Sequence, residues 1–174
     1  MNIPPFLESH TCTLIGGKHY VYGGAISKPV DLSLSAEAKD EDGLSGSGED
    51  LDSQNQLYQV EILGQNLEEI RVDFQKVEIK GKTPYLDEHA AVSIEDRYLV
   101  LLGGSTVVER DGEPLALDEI QIVHNTDIFV IDVVEKEIVT AANIGKSSLK
   151  PCTASAAATD GKRIFVFGGI EQRS

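Results

Sequence analysis

Tryptophan is absent from the 174 residues, and methionine occurs once. Cysteine occurs twice, at Cys12 and Cys152, too rarely for a disulfide scaffold, and the pair reads as free thiols of a reducing compartment. No apolar run approaches the ~18 residues that a membrane-spanning helix needs. Met1 to His10 has neither a basic start nor an apolar stretch, so no secretory signal is expected. Positive charge is scarce: 15 Lys+Arg stand against 29 Asp+Glu, a formal net charge of −14. This balance lacks the basic footprint of a nucleic-acid binder and opposes adsorption to an anionic membrane. The expected compartment is the cytoplasm or the nucleus.

What is present is a core-forming chain, 41% apolar, that repeats itself. Three segments align: His10 to Gly24 (HTCTLIGGKHYVYGG), His89 to Gly104 (HAAVSIEDRYLVLLGG) and Ser155 to Gly169 (SAAATDGKRIFVFGG). Each is a run of small and apolar residues, a polar turn, a second apolar run and a Gly-Gly pair. The leading His or Ser precedes the first Gly by 13, 14 and 13 residues. Upstream, Pro5-Phe6-Leu7-Glu8-Ser9-His10 matches Pro84-Tyr85-Leu86-Asp87-Glu88-His89 in residue class at five of six positions. A fixed period of this kind is the mark of a repeat architecture.

Each unit reads as a β-hairpin. Gly16-Gly17 and Asp160-Gly161 are pairs suited to two-residue turns, and Glu95-Asp96-Arg97 is a weaker turn. The second strands, Tyr20-Val21-Tyr22, Leu99 to Leu102 and Ile164 to Phe167, are apolar without alternation, which predicts sheets covered on both faces. Two further strands follow in the first two units. Asn55 to Ile62 parallels Asn125 to Asp132, and Phe74 to Ile79 parallels Glu137 to Thr140. Four strands per unit is the composition of a propeller blade.

The Gly-Gly pairs (Gly23-Gly24, Gly103-Gly104, Gly168-Gly169), the His-Ala-Ala-Val at His89 and the Asn-x-x-hydrophobic third strands together resemble the kelch repeat. The resemblance covers nearly all of the chain outside two insertions. It implies an all-β fold: a kelch-type propeller segment of four-stranded antiparallel blades. Kelch blades usually carry a fourth-strand Trp. Phe74 and Ile138 stand in that place, so the outer strands lose the anchorage of a large aromatic ring. Blade 1 spans residues 1–79, blade 2 residues 80–144, and residues 145–174 supply the inner half of blade 3. About two and a half blades form an incomplete ring, since closure takes about 4–8. Either a further chain segment or self-association, or a partner chain, is expected to complete it.

The Gly-Gly pairs lie 80 and 65 residues apart, against a kelch period of about 50. The excess falls in residues 25–54, a Ser/Gly/acid-rich tract expected to be disordered, and residues 105–124, expected to add a hairpin around Asp111-Gly112. The first carries eight acids and two lysines, the second five acids and one arginine, so the two supply −10 of the −14. Both join a second strand to a third and therefore leave the same rim of the units. Ser47 before Gly48-Glu49-Asp50 is a site of the type that acidophilic kinases use.

Other patterns fail on chemistry. A calcium loop begun at Asp40 would need Gly where Ser45 stands. Gly81-Lys82-Thr83 and Gly145-Lys146-Ser147 lack the first glycine of a phosphate-binding loop, its place being taken by Lys76 and Thr140. His10, His19, His89 and His124 have no metal-ligand spacing. His10 and His89 recur at one repeat position, where they are expected to fasten a connector by hydrogen bonds. The first strands, Thr11 to Leu14, Ala90 to Ser93 and Ser155 to Ala158, offer no acid–base pair to a central channel, and copper-enzyme kelch motifs are not matched.

The expectation is a non-enzymatic protein-interaction module without a cofactor or metal, its acidic rim meeting a protein partner of basic character. Glu109, Arg110, Asp111 and Glu113 are the rim residues expected to contact it. The alternatives are a propeller fragment without independent function and a kelch-type enzyme.

Overall fold

The computed structural model describes residues 7–26, 55–64, 66, 69–108, 121–139 and 152–171. Among these there is no helix, and every strand pair is antiparallel. The short strand β1 (Leu7–Glu8) leads into the first four-stranded sheet. This sheet is a meander of β2 (Thr11–Ile15), β3 (Lys18–Tyr22), β5 (Leu57–Leu63) and β6 (Arg71–Val77). After β3 the chain makes β4 (Ala25–Ile26), which turns back to pair with β1. The second sheet repeats the plan with β7 (Ala90–Ile94), β8 (Tyr98–Leu102), β11 (Ile128–Asp132) and β12 (Glu137–Val139). Between its second and third strands, β9 (Ser105–Val108) and β10 (Gln121–His124) form an additional ladder. A third sheet contains β13 (Cys152–Thr159) and β14 (Ile164–Glu171).

The first strands lie side by side, β7 between β2 and β13, so the sheets stack face to face. The second sheet shows why its second strand has no polar alternation. Leu99 and Leu101 face the first sheet, in a cluster with Ile15, Tyr20, Tyr22 and Leu57. Val100 and Leu102 point the other way, beside Ile164, Val166 and Ala157 of the third. Successive strand residues alternate faces, so a strand buried on both sides must be apolar throughout. All four of these residues are at most 3% exposed.

In the third sheet the expected two-sided cover does not hold. Ile164 and Val166 are packed, whereas Phe165 and Phe167 are 52% and 84% exposed. Their face looks away from the second sheet, and no described element lies against it.

The turns hold two lessons. At Gly16-Gly17 both residues have positive φ and Ile15 pairs with Lys18, the mirror-image two-residue turn that such glycines favour. At Asp160-Gly161 the two-residue expectation is wrong: Thr159 pairs with Ile164, leaving a four-residue loop. The cause is the Asp160 carboxylate, which accepts the backbone N–H groups of Lys162 and Arg163 at 2.9 and 2.7 Å and folds the loop around itself. Glu95 and Asp96 take φ of 56° and 49° without glycine. Across that turn, Arg97 donates from Nε to Asp132 Oδ2 at 2.8 Å, and Asp132 Oδ1 accepts the N–H groups of Val134 and Glu135.

Register corrects one alignment. Tyr22 pairs with Leu57 as Leu102 pairs with Ile128, so Leu57 is the counterpart of Ile128. Aligning Asn55 with Asn125 is therefore one residue out, and a one-residue slip exchanges the faces of a strand. The equivalence of Phe74 and Ile138 stands, because Phe74 lies opposite Val60 and Ile138 opposite Ile131. The expectation of disorder over residues 25–54 fails at its start, where Ala25 and Ile26 are paired; residues 27–54 lie outside the described residues.

Candidate interaction rim

The Gly-Gly corners gather the connectors and the roots of both insertions at one end of the sheets. Beyond each corner the chain pairs with the connector that preceded its own unit. Glu8 pairs with Ala25 in the first unit, and in the second Asp87 exchanges two backbone hydrogen bonds with Ser105, at 3.0 and 2.8 Å. Each corner also grips the following unit. The Gly24 N–H donates to Leu86 O at 2.9 Å, and the Gly104 N–H to Cys152 O at 2.8 Å. The approach is so close that a Cβ on Gly23 would stand 2.5 Å from Leu86 O, and one on Gly103 2.7 Å from Cys152 O. Where Gly168 repeats the position, the same Cβ would meet no atom of the described residues within 4 Å.

The connectors turn into the first strands through one left-handed residue each. Ser9, Glu88 and Ala154, at matching places in the three units, have φ of 57°, 53° and 52°. The two repeat histidines then diverge. His89 is 4% exposed and shares a 2.8 Å hydrogen bond between its Nε2 and Thr11 Oγ1, on the first sheet. The Tyr22 ring meets it edge-on, centroids 5.8 Å apart, while the Tyr22 hydroxyl donates to Pro84 O. Burial, aided by the charge of His10, pushes the His89 pKa down to about 4, so at neutral pH the ring is uncharged. His89 Nδ1 has no partner among the described residues. His10 is exposed, because no described sheet precedes the first one to enclose it.

Asn125 locks the second corner. It is 3% exposed, donates from Nδ2 to Gly103 O and Asp127 O at 3.0 and 2.9 Å, and accepts the Asp127 N–H at 2.9 Å. Asn55, displaced by the register, has no partner for its buried Oδ1 among the described residues. Nothing in the sequence marked Thr11 or Tyr22 as partners of His89, since both lie on another unit.

On the outward side, Glu8, Asp87 and Glu88 bring three carboxylates together at the root of the insertions. Burial raises the Asp87 pKa, and the neighbouring charges of Glu88 and Glu8 add to it, against the lowering effect of the Glu88 backbone N–H. The β9–β10 ladder is the base of the expected hairpin. Its far part, residues 109–120, lies outside the described residues, and with it Glu109, Arg110, Asp111 and Glu113. The structural glycines and His10 and His89 all sit at the corners just described. Cys12 is exposed, Cys152 half-buried, and both are free. Among the described residues no three His, Cys, Asp or Glu side chains are grouped as metal ligands. Nor is any described helix long and apolar enough to cross a membrane.

Comparison with protein-family models matched none of them. Comparison with the curated proteins found no match.

Proposed function

We propose that the chain is a kelch-like propeller segment that serves as a protein-interaction module, presenting its acidic rim to a basic protein partner. The observation that carries this reading is the common rooting of both insertions. The β1–β4 pair and the β9–β10 ladder begin at neighbouring Gly-Gly corners, bound together through Gly24 and Leu86. The two tracts rooted there carry a sequence charge of −10, and Glu8, Asp87 and Glu88 stand at the corners themselves. A one-sided field of this kind steers a positively charged partner and discriminates against acidic ones. The kelch assignment is supported by two four-stranded antiparallel sheets of the same strand plan and by the recurrence of the Gly-Gly corner. The first strands carry small and apolar residues with no carboxylate, which supports recognition rather than acid–base chemistry.

The test is a triple variant, Glu109→Lys, Asp111→Lys, Glu113→Lys, compared with the wild-type chain in capture of proteins from cell lysate. Capture at low salt should fall, and what remains should lose its dependence on salt. Equal capture by the two proteins at low salt would sink the proposal.

A further inference from the structure

The second Gly-Gly corner carries chemistry that the first does not. Ser105 opens β9 and stands between Asp87 of the connector and His124 of β10. Its N–H and C=O both bond to Asp87, at 2.8 and 3.0 Å, so it meets His124 as a non-hydrogen-bonded pair, the closer of the two cross-strand spacings. The Asn125 N–H, bonded to Gly104 O at 2.8 Å, flanks that pair. Directly opposite residues project from the same face of a ladder. The Asp87 carboxyl, the Ser105 hydroxyl and the His124 imidazole therefore form a row across three strands, with about 10 Å between the outer Cα atoms.

Two members of the row are incompletely bonded. Asp87 Oδ1 and His124 Nδ1 are screened from solvent and have no hydrogen-bond partner among the described residues. A buried polar atom left open is costly, and two such atoms flank one serine. The corner does not require them in order to form: the same bridge in the first unit joins Glu8 to Ala25, with neither hydroxyl nor imidazole. All three residues of the row are half-buried. Carboxyl and imidazole groups turn broadly about χ2, so each screened atom can face a ligand without leaving its rotamer.

The row offers acceptors: a carboxylate oxygen, a hydroxyl oxygen, and an imidazole nitrogen that accepts in the tautomer protonated at Nε2. Its neighbours set the sign of the ligand. Burial raises the Asp87 pKa and the charges of Glu88 and Glu8 add to it, against the Glu88 backbone N–H, so a cation beside the carboxylate is favoured and an anion repelled. Among the described residues no third metal-ligating side chain is grouped with Asp87 and His124. The donors of an ammonium radiate from one point, whereas a guanidinium spreads five N–H groups around a rigid plane. Separated acceptors suit the guanidinium. We propose that the Asp87–Ser105–His124 row is an arginine-binding site, in which Asp87 and His124 accept N–H groups from opposite edges of one guanidinium and Ser105 Oγ accepts between them. This rests on the reading of the rim as the surface that meets a basic partner, and it names the side chain that the rim anchors.

Titration of the isotope-labelled full chain with N-acetyl-arginine amide, followed by NMR, tests this. The Asp87 and Ser105 amides and the His124 ring should shift together and saturate. N-acetyl-citrulline amide, of the same shape without the charge, should move none of them, and N-acetyl-lysine amide should bind about tenfold more weakly. Asp87→Asn and His124→Phe should each weaken arginine binding about tenfold; His124→Ala replaces the second if the phenylalanine prevents folding. Glu135→Gln, an exposed acid at the β11–β12 turn, should leave it unchanged. No saturable shift at the row overturns the proposal. So do shifts that lysine reproduces at equal concentration or that survive Asp87→Asn, since those report general attraction to an acidic chain. The rim reading fails separately: the triple-lysine variant would then capture proteins as wild type does while the arginine shifts persist. Capture that stays salt-dependent without arginine shifts at the row removes this site alone.

Discussion

His89 Nε2 and Thr11 Oγ1 are joined by a 2.8 Å hydrogen bond across 78 positions of sequence, linking the entrance of the second unit to the first strand of the first. The bond is made by a buried, uncharged imidazole. The Tyr22 ring meets it edge-on, the Gly23 backbone lies close beside it, and the residue is 4% exposed.

Acid should therefore loosen this junction. The His89 pKa is held down to about 4 in the folded chain, against an ordinary 6.5. Between those values the unfolded chain binds the proton and the folded chain does not, so stability falls as pH drops through the window. Above 6.5 the group contributes its full effect, and below about 4 the loss is complete. The full shift corresponds to about 3 kcal/mol. Thermal unfolding of wild type and His89→Gln from neutral to acid pH should show a steep slope in the first and a shallower one in the second. Equal slopes would mean that other groups govern the acid transition.

Alanine at repeat-equivalent glycines should have unequal costs. At Gly103 a Cβ would collide with Cys152 O, and at Gly168 it would meet no described atom within 4 Å. Both positions have positive φ, 66° and 72°, so each substitution carries backbone strain of about 1 kcal/mol. Gly103→Ala should lose at least about 2 kcal/mol in denaturant unfolding, since backbone must also shift. The comparison fails if the two variants are equally stable.

Asp132 should matter more than the other acid near Arg97. Asp132 is 3% exposed and accepts from the Arg97 guanidinium and from two backbone N–H groups, whereas Glu135 reaches Arg97 only at 3.7 Å from an exposed position. The Arg97 guanidinium and those N–H groups hold the Asp132 carboxyl below its usual range, opposed by its burial. Asp132→Ala should cost on the order of 2 kcal/mol, and Glu135→Ala within about 0.5 kcal/mol of nothing. Urea midpoints for the two variants decide it; a similar change in both would leave the turn hydrogen bonds without importance.

Asn125 and Asn55 look alike in the sequence and should behave differently. Asn125→Ala removes three hydrogen bonds from a buried corner, at a cost of about 2 kcal/mol or more. Asn55→Ala removes a buried oxygen that has no partner among the described residues, so its stability should stay closer to wild type. Guanidinium melts of both variants give the ranking, and a larger loss at position 55 would reverse it.

Much of this architecture was legible because it depends on local pattern. An unbroken apolar strand such as Leu99 to Leu102 records burial on two faces, and the Gly-Gly corners record close backbone approach. What escaped depends on partners or on single hydrogen bonds. Phe165 and Phe167 are as apolar as Val100 and Leu102, and only the absence of a described neighbour distinguishes them. Asp160-Gly161 has the composition of a two-residue turn, yet one carboxylate gathering two N–H groups lengthens the loop. The shift at Asn55 arises from strand pairing with Tyr22, which a comparison of residue classes cannot register. For the rim, sequence located the charge, and its candidate contacts lie beyond the described residues.

The left-handed turn at Ser9, Glu88 and Ala154 has a consequence for how the chain tolerates change. Three unrelated side chains accept the same disfavoured backbone, so the geometry is imposed by the packed units around it and owes nothing to local preference. Each position thus holds latent stability: glycine there would relieve roughly 1 kcal/mol of strain, partly offset by the freedom it adds to the unfolded chain. A hydroxyl, a carboxylate and a methyl group are interchangeable at this bend, which leaves the side chain free to vary while the bend itself stays constant.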